Sequence, residues 1–77
     1  MYKELLLVFS QRLKEEHFVL FRLYNALYRI TLTREGYTIQ QDGLNISYTF
    51  DSLRDVFENY IVYGDRLIEL INDIKLC

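Results

Sequence analysis

The sequence predicts an α+β fold, in which an N-terminal helix precedes a four-stranded antiparallel meander and a C-terminal helical segment. Residues 18–49 alternate apolar and polar side chains between three turn signals, which is typical of an antiparallel sheet with one covered face. The flanking segments 3–15 and 53–74 instead repeat their apolar residues at helical spacing. Because the chain has only 77 residues, we expect one small domain, 1–77.

The first element is a predicted helix over residues 3–15. No glycine or proline interrupts this segment, and its apolar residues recur three and four positions apart, so they fall on one side of a helix. They are Leu5, Leu6, Phe9 and Leu13.

The stretch RLYNALYR, residues 22–29, reads almost the same in both directions and admits two interpretations. A helix running through it would align four leucines spaced by seven, as in a coiled-coil seam, but the alternate seam position is charged at Glu16. A two-residue turn at Asn25-Ala26 would instead place Leu23 opposite Tyr28 on an apolar face. We favour the turn.

Two further turns support the sheet, one at Glu35-Gly36 and one at Asp42-Gly43, which is a strong hairpin signal. They would set Leu32 opposite Ile39, and Ile39 opposite Ile46. All three turns agree on one core face. Its predicted members are Val19, Phe21, Leu23, Tyr28, Ile30, Leu32, Tyr37, Ile39, Leu44, Ile46 and Tyr48.

The C-terminal segment is predicted to begin as a helix. Asp51 or Ser52 can cap it, with Asp55 as the acid of a capping box after Ser52. Its apolar face would contain Leu53, Val56, Phe57 and Tyr60.

Gly64 leaves two possibilities for the remainder. It either lies within one long helix, or it ends a first helix so that Asp65 caps a second. We favour a break at residues 61–64, because Ile-Val-Tyr is β-prone and Gly64-Asp65 resembles a stop followed by a start. Helical spacing resumes after the break with Leu67, Ile68, Ile71 and Ile74.

With these elements in place, the chain resembles a group of small uncharacterised proteins of Gram-positive bacteria and their phages. That group has a short helix, a hairpin of the form F-x-Y-N-G-K-x-Y-x-I, a second hairpin, and a C-terminal helix broken at a glycine. The similar segments here are FRLYNALYRI, residues 21–30, and DSLRDVFENYIVYGDRLIELI, residues 51–71. Ala26 replaces the glycine of the hairpin pattern, and Arg66 replaces a frequent proline. The resemblance implies the fold, and it implies no particular activity.

No residue pattern predicts catalysis or a cofactor. His17 is the only histidine and Cys77 the only cysteine, whereas a metal site needs three or four convergent ligands. A serine nucleophile would need a base that a third group orients, and there is no glycine-rich phosphate loop. We therefore expect a non-enzymatic protein without a cofactor or metal.

The most unusual predicted feature is an apolar excess on the sheet face opposite the core. Its candidate interaction residues are Phe18, Leu20, Arg22, Tyr24, Leu27 and Arg29. The predicted register sets Arg22 opposite Arg29, which is unfavourable for like charges unless solvent or an acid relieves them. Either the first helix or a terminus covers this face, or it forms an interface with a partner or a second copy through the edge strand.

We therefore expect a protein-interaction module, a small regulator or inhibitor that occupies a partner's surface. A phage-encoded inhibitor of a host defence or regulatory protein would fit the small size, the charge and the lack of catalytic residues. The alternative is a weak nucleic-acid or anion binder that uses Arg22, Arg29 and the exposed aromatic residues. The formal charge of −2 lacks the strong basic excess usual for nucleic-acid binders. We expect a cytoplasmic location, because LLLVF at residues 5–9 is too short to span a membrane and resembles no signal peptide.

Overall fold

The computed structural model describes residues 2–77 and confirms the α+β class. The elements in chain order are α1 (Tyr2–Glu16), β1 (Phe18–Leu23), β2 (Ala26–Thr33), β3 (Gly36–Gln41), β4 (Ser47–Phe50), α2 (Leu53–Asn59), β5 (Ile61–Val62), β6 (Asp65–Arg66), a 3₁₀ helix (Leu67–Asp73) and β7 (Ile74–Leu76). Five strands form an antiparallel sheet in the order β4-β3-β2-β1-β7, while β5 and β6 form a separate hairpin.

Helix α1 forms as predicted and buries Phe9 and Leu13. The helix ends at His17, whose φ of 70° lies in the left-handed region and redirects the chain into β1. The His17 amide donates to the Leu13 carbonyl at 2.9 Å, and the His17 carbonyl accepts from the Leu32 amide at 2.9 Å. These bonds fix the position of α1 against the first hairpin.

The first two predicted turns each lie one residue too late in the sequence. The first loop is Tyr24-Asn25, so Leu23 pairs with Ala26 instead of Tyr28. The second loop is Arg34-Glu35, so Leu32 pairs with Tyr37 instead of Ile39. Each change moves the register by two residues, which keeps every side chain on its predicted face.

The third predicted turn, at Asp42-Gly43, is wrong in length. The loop runs over residues 42–46, and Ile39 pairs with Tyr48 instead of Ile46. The Gln40 side-chain amide donates to the Leu44 carbonyl at 2.7 Å and holds this longer loop against β3.

Three of the eleven predicted core residues are exposed, because two of them lie in the loop of residues 42–46 and the third lies on the edge strand β4. They are Leu44, Ile46 and Tyr48, with 48%, 59% and 52% of their surfaces exposed. Leu32 and Tyr37 are partly buried, and the other six are buried as predicted.

The core lies between the sheet and the helices. The Phe9 ring from α1 packs against Phe21 of β1 at 5.5 Å and against Phe57 of α2 at 5.4 Å between centroids. Phe21 also stacks on Tyr28 at 5.3 Å. Both helices therefore pack on one sheet face, as the sequence predicts, and no charged or polar residue is buried among those described.

The cap and the break of the C-terminal segment are confirmed. The Ser52 side chain accepts from the Asp55 amide at 3.0 Å and caps α2. The chain then turns at Tyr63-Gly64, where φ values of 52° and 85° give the two left-handed residues of a type I′ turn. Asp65, the predicted cap of a second helix, instead begins β6, and no side chain caps the 3₁₀ helix.

Strand β7 is absent from the predicted meander, and it changes the role of β1. Leu23 pairs with Ile74 and Phe21 with Leu76, so β1 is an interior strand and not the predicted edge. The guanidinium of Arg12 on α1 also donates to the Cys77 carbonyl at 2.6 Å. The helical spacing that continues through residue 74 masked the start of this strand.

Candidate interaction surface

The sheet face opposite the helices forms a continuous surface that we call the outer face. Within residues 2–77, the helices pack on the other side, and this face stays open to solvent. Pairing across the strands determines its members, since directly opposed residues of antiparallel strands point the same way. They are Phe18, Leu20, Arg22, Leu27, Arg29, Thr31, Thr38, Gln40, Ser47, Thr49 and Lys75.

Five of the six candidate residues from the sequence come together on β1 and β2. The Arg29 guanidinium lies over the Phe18 ring, 5.6 Å from its centroid, and Arg29 pairs across the strands with Leu20. Phe18 is 39% exposed, whereas Leu20 and Leu27 are partly buried. The arrangement is an apolar centre with a guanidinium lying across it.

The predicted opposition of Arg22 and Arg29 is wrong, because the turn lies one residue earlier. Arg22 pairs with Leu27 on one side and with Lys75 of β7 on the other. Lys75 is thus a third cation of the outer face. Alternation in the sequence Ile-Lys-Leu at residues 74–76 was the only signal for it.

Within residues 2–77, none of these three cations forms an ion pair, although Asp73 lines the same depression as Arg22 and Lys75. The only ion pair within the described chain joins Arg66 and Glu69, at 2.9 Å, outside the outer face. The Arg66 hydrogen bond holds the pKa of the exposed Glu69 carboxyl below its ordinary value. Asp42 lies in the loop after β3, at the margin of the outer face next to Leu27 and Arg29. The charge of the face itself is positive in a chain whose formal net charge is −2.

Tyr24, the sixth candidate, lies at the end of the sheet and not among the other five. Its hydroxyl donates to Asp73 of the 3₁₀ helix at 3.2 Å, and its ring contacts Tyr63 at 5.6 Å between centroids. Loss of solvation and then the Asp73 hydrogen bond raise the pKa of the Tyr24 phenol. With Arg22, Asn72, Asp73 and Lys75 it lines a depression at this end of the sheet.

A second apolar surface lies on the helix side of the sheet, beside β4. It is a groove of about 350 Å³ between β4 and the residues that follow α2, and we call it the β4 groove. Its apolar and aromatic lining consists of Leu44, Ile46, Tyr48, Phe50, Tyr60 and Ile61. Gln41 and Asn59 add amide groups, so none of its lining residues carries a charge.

Tyr60 connects the β4 groove to the core. Its ring lies 5.8 Å from Tyr48 in the groove and 6.2 Å from the buried Tyr28. Burial raises the pKa values of the Tyr60 and Tyr28 phenols above the ordinary value of 10.0. Tyr60, which lines the groove, is therefore uncharged throughout the neutral range.

The described residues assemble no metal site, since no three His, Cys, Asp or Glu side chains from 2–77 come close enough to ligate one ion. In the same residues, no helix has both the length and the apolar character needed to cross a membrane.

Comparisons with protein-family models, curated proteins and solved structures found no match to this chain. The resemblance to small phage and Gram-positive proteins thus stays a prediction.

Proposed function

We propose that this chain is a non-enzymatic interaction protein, a small regulator or inhibitor that binds an acidic surface of another protein through its outer face. The observation that carries the proposal is the open face of the sheet. Phe18, Leu20 and Leu27 give it apolar contact area without a covering helix in the described structure. An apolar centre with a polar rim is the usual composition of a protein–protein interface.

Charge supports an acidic partner. Arg22, Arg29 and Lys75 point from the outer face, and no acidic residue occupies an outward position on the five strands. The formal net charge of the chain is −2, so the positive outer face differs in sign from the molecule as a whole. Complementary charge would steer a partner towards this side and increase the association rate.

The alternative is binding of nucleic acid or another anion by the same face. Arg29 over the Phe18 ring favours this alternative, because a cation beside an aromatic platform is a common arrangement for unpaired bases. Three cations on the face are few for such a role. We therefore place it second. A host defence or regulatory protein as the target stays part of the leading proposal.

The test is affinity capture from an extract of the source organism, with and without nuclease. The variant Arg22→Glu/Arg29→Glu/Lys75→Glu reverses the charge of the outer face. Its control, Lys3→Glu/Lys14→Glu/Arg34→Glu, makes the same change in net charge at exposed residues elsewhere. We expect one acidic protein to be captured by the native chain and by the control, and to be lost with the outer-face variant.

Circular dichroism and thermal unfolding must show that both variants fold. Equal capture by both variants would contradict the outer face as the binding site. Recovery of assorted nucleic-acid-binding proteins that nuclease abolishes would instead support the alternative, and binding would then weaken steeply with added salt.

A further inference from the structure

Strand β4 forms an edge of the sheet that lacks the usual protection. Nothing within residues 2–77 pairs with its outer side. Residues 43–50, GLNISYTF, contain no charged residue and no proline, although natural edge strands commonly carry lysine, proline or a bulge that prevents pairing. Strand β4 has four residues, and the strand at the other edge, β7, has three residues and carries Lys75. The β4 edge is therefore the one available for a further strand.

The β4 groove lies directly beside this edge. Strand β4 contributes Tyr48 and Phe50 to its lining, and the preceding loop contributes Ile46. A strand that paired with β4 would place alternate side chains over this apolar lining. Edge and groove are thus two parts of one surface.

We propose that two copies of this chain pair antiparallel through β4, with a two-fold axis at Tyr48, to form a continuous ten-stranded sheet. In this register Tyr48 faces Tyr48 of the second copy, and Ile46 faces its Phe50. On the other side of the sheet, Ser47 faces Thr49 of the second copy. The strand is thus complementary to itself, as an isologous interface requires.

The pairs formed in this register are favourable ones. Aromatic and β-branched residues meet on the helix side, and hydroxyl groups meet on the outer side. The chain already contains such a hydroxyl pair, since Thr38 and Thr49 lie across β3 and β4 with their Oγ1 atoms 3.0 Å apart. No charged residue within 43–50 would oppose a like charge.

The exposed area fits a weak dimer of two copies. Leu44, Ile46, Tyr48 and Ile61 are 48%, 59%, 52% and 54% exposed. At about 100 Å² of exposed surface for each side chain, these four residues offer roughly 400 Å² per copy. A standard interface buries roughly 800 Å² per partner. The paired strand edges add to this area. We therefore expect a weak, concentration-dependent dimer whose stability changes little with salt, because the contacts are uncharged.

The first test is sedimentation of the full chain over a range of concentrations. We expect the mass to rise from that of a 9.3 kDa monomer to about twice that value. Tyr48→Lys should hold the chain monomeric, because two ammonium groups would then face each other. Tyr63→Lys is the control. It makes the same change at a tyrosine outside the β4 groove, where 76% of the side chain is exposed against 52% for Tyr48. This variant should dimerise normally.

A second test reports the register and does not depend on the stability of Tyr48→Lys. In a Cys77→Ser background, Tyr48→Cys places a thiol opposite its own copy, near the Cβ separation that a disulfide needs. Ile46→Cys, on the same edge, faces Phe50 of the second copy and should cross-link far more slowly. Equal cross-linking of both variants, or none with Tyr48→Cys, would overturn the proposal.

The two proposals fail independently. Tyr48→Lys should still capture a partner through the outer face, and the outer-face charge variant should still dimerise. A native chain that stays monomeric at every concentration would overturn the dimer and leave the proposed function untouched.

Discussion

Ile39 and Tyr48 lie directly opposite each other on β3 and β4, yet Ile39 is fully buried and Tyr48 is 52% exposed. The boundary of the core therefore crosses β4, because Phe50 of the same strand still packs against the core. On the helix side of the sheet, the residues before this boundary belong to the core, and those beyond it line the open β4 groove.

Gly36 allows β3 to approach the end of β4, and Gly36→Ala should destabilise the fold strongly. Its φ is 136°, and a Cβ there would overlap the Phe50 carbonyl oxygen. Strain and overlap together should lower the free energy of unfolding by about 2 kcal/mol or more. Urea unfolding followed by circular dichroism measures the change.

Gly43→Ala is the matched control. Gly43 also has a positive φ, 88°, but a Cβ there would meet no atom of the described chain within 4 Å. Backbone strain alone should cost about 1 kcal/mol. Equal losses for the two variants would show that the contact with Phe50 contributes nothing.

Tyr2→Phe should stabilise the protein. The Tyr2 ring packs edge-on against Phe57 at 5.7 Å, but its buried hydroxyl has no hydrogen-bond partner among residues 2–77. Because an unpaired buried polar group is unfavourable, its removal should raise the free energy of unfolding by about 1 kcal/mol. Tyr24→Phe makes the same change where the hydroxyl bonds to Asp73, and it should leave stability unchanged or slightly lower. A fall in stability for Tyr2→Phe would mean that its hydroxyl is satisfied.

The sequence predicts the faces of the sheet better than its turns. Alternation has a period of two, so moving a turn by one residue shifts the register by two and leaves Phe21 and Ile30 on the core face. Turn position depends on finer chemistry. Tyr24 adopts a φ of 56° although nothing in its residue type predicts this.

The missing strand β7 has a different cause. Leu67 and Ile74 continue a helical spacing, and periodicity cannot show that the 3₁₀ helix ends at Asp73. Tertiary pairing with β1 determines that boundary. For the same reason Lys75 was not among the candidate residues, while the five on β1 and β2 follow directly from alternation.

The β4 groove could not be predicted, because its residues look like core. Leu44 and Ile46 are apolar, and a two-residue turn at Asp42-Gly43 would place them on the same face as Ile39. Both instead lie in the longer loop of residues 42–46, whose length depends on the packed structure. The absence of charge over residues 43–50 was the available signal.

Stability should fall at alkaline pH, and Tyr28→Phe should reduce that fall. Burial raises the pKa of the Tyr28 phenol above 10.0, so between 10.0 and the raised value the folded chain binds the proton that the unfolded chain has lost. This contribution to stability is fully present below pH 10.0, and it is lost as pH rises through the folded pKa. Urea unfolding between pH 8 and 11 compares Tyr28→Phe with the native chain. Identical slopes of stability against pH for the two proteins would contradict the prediction.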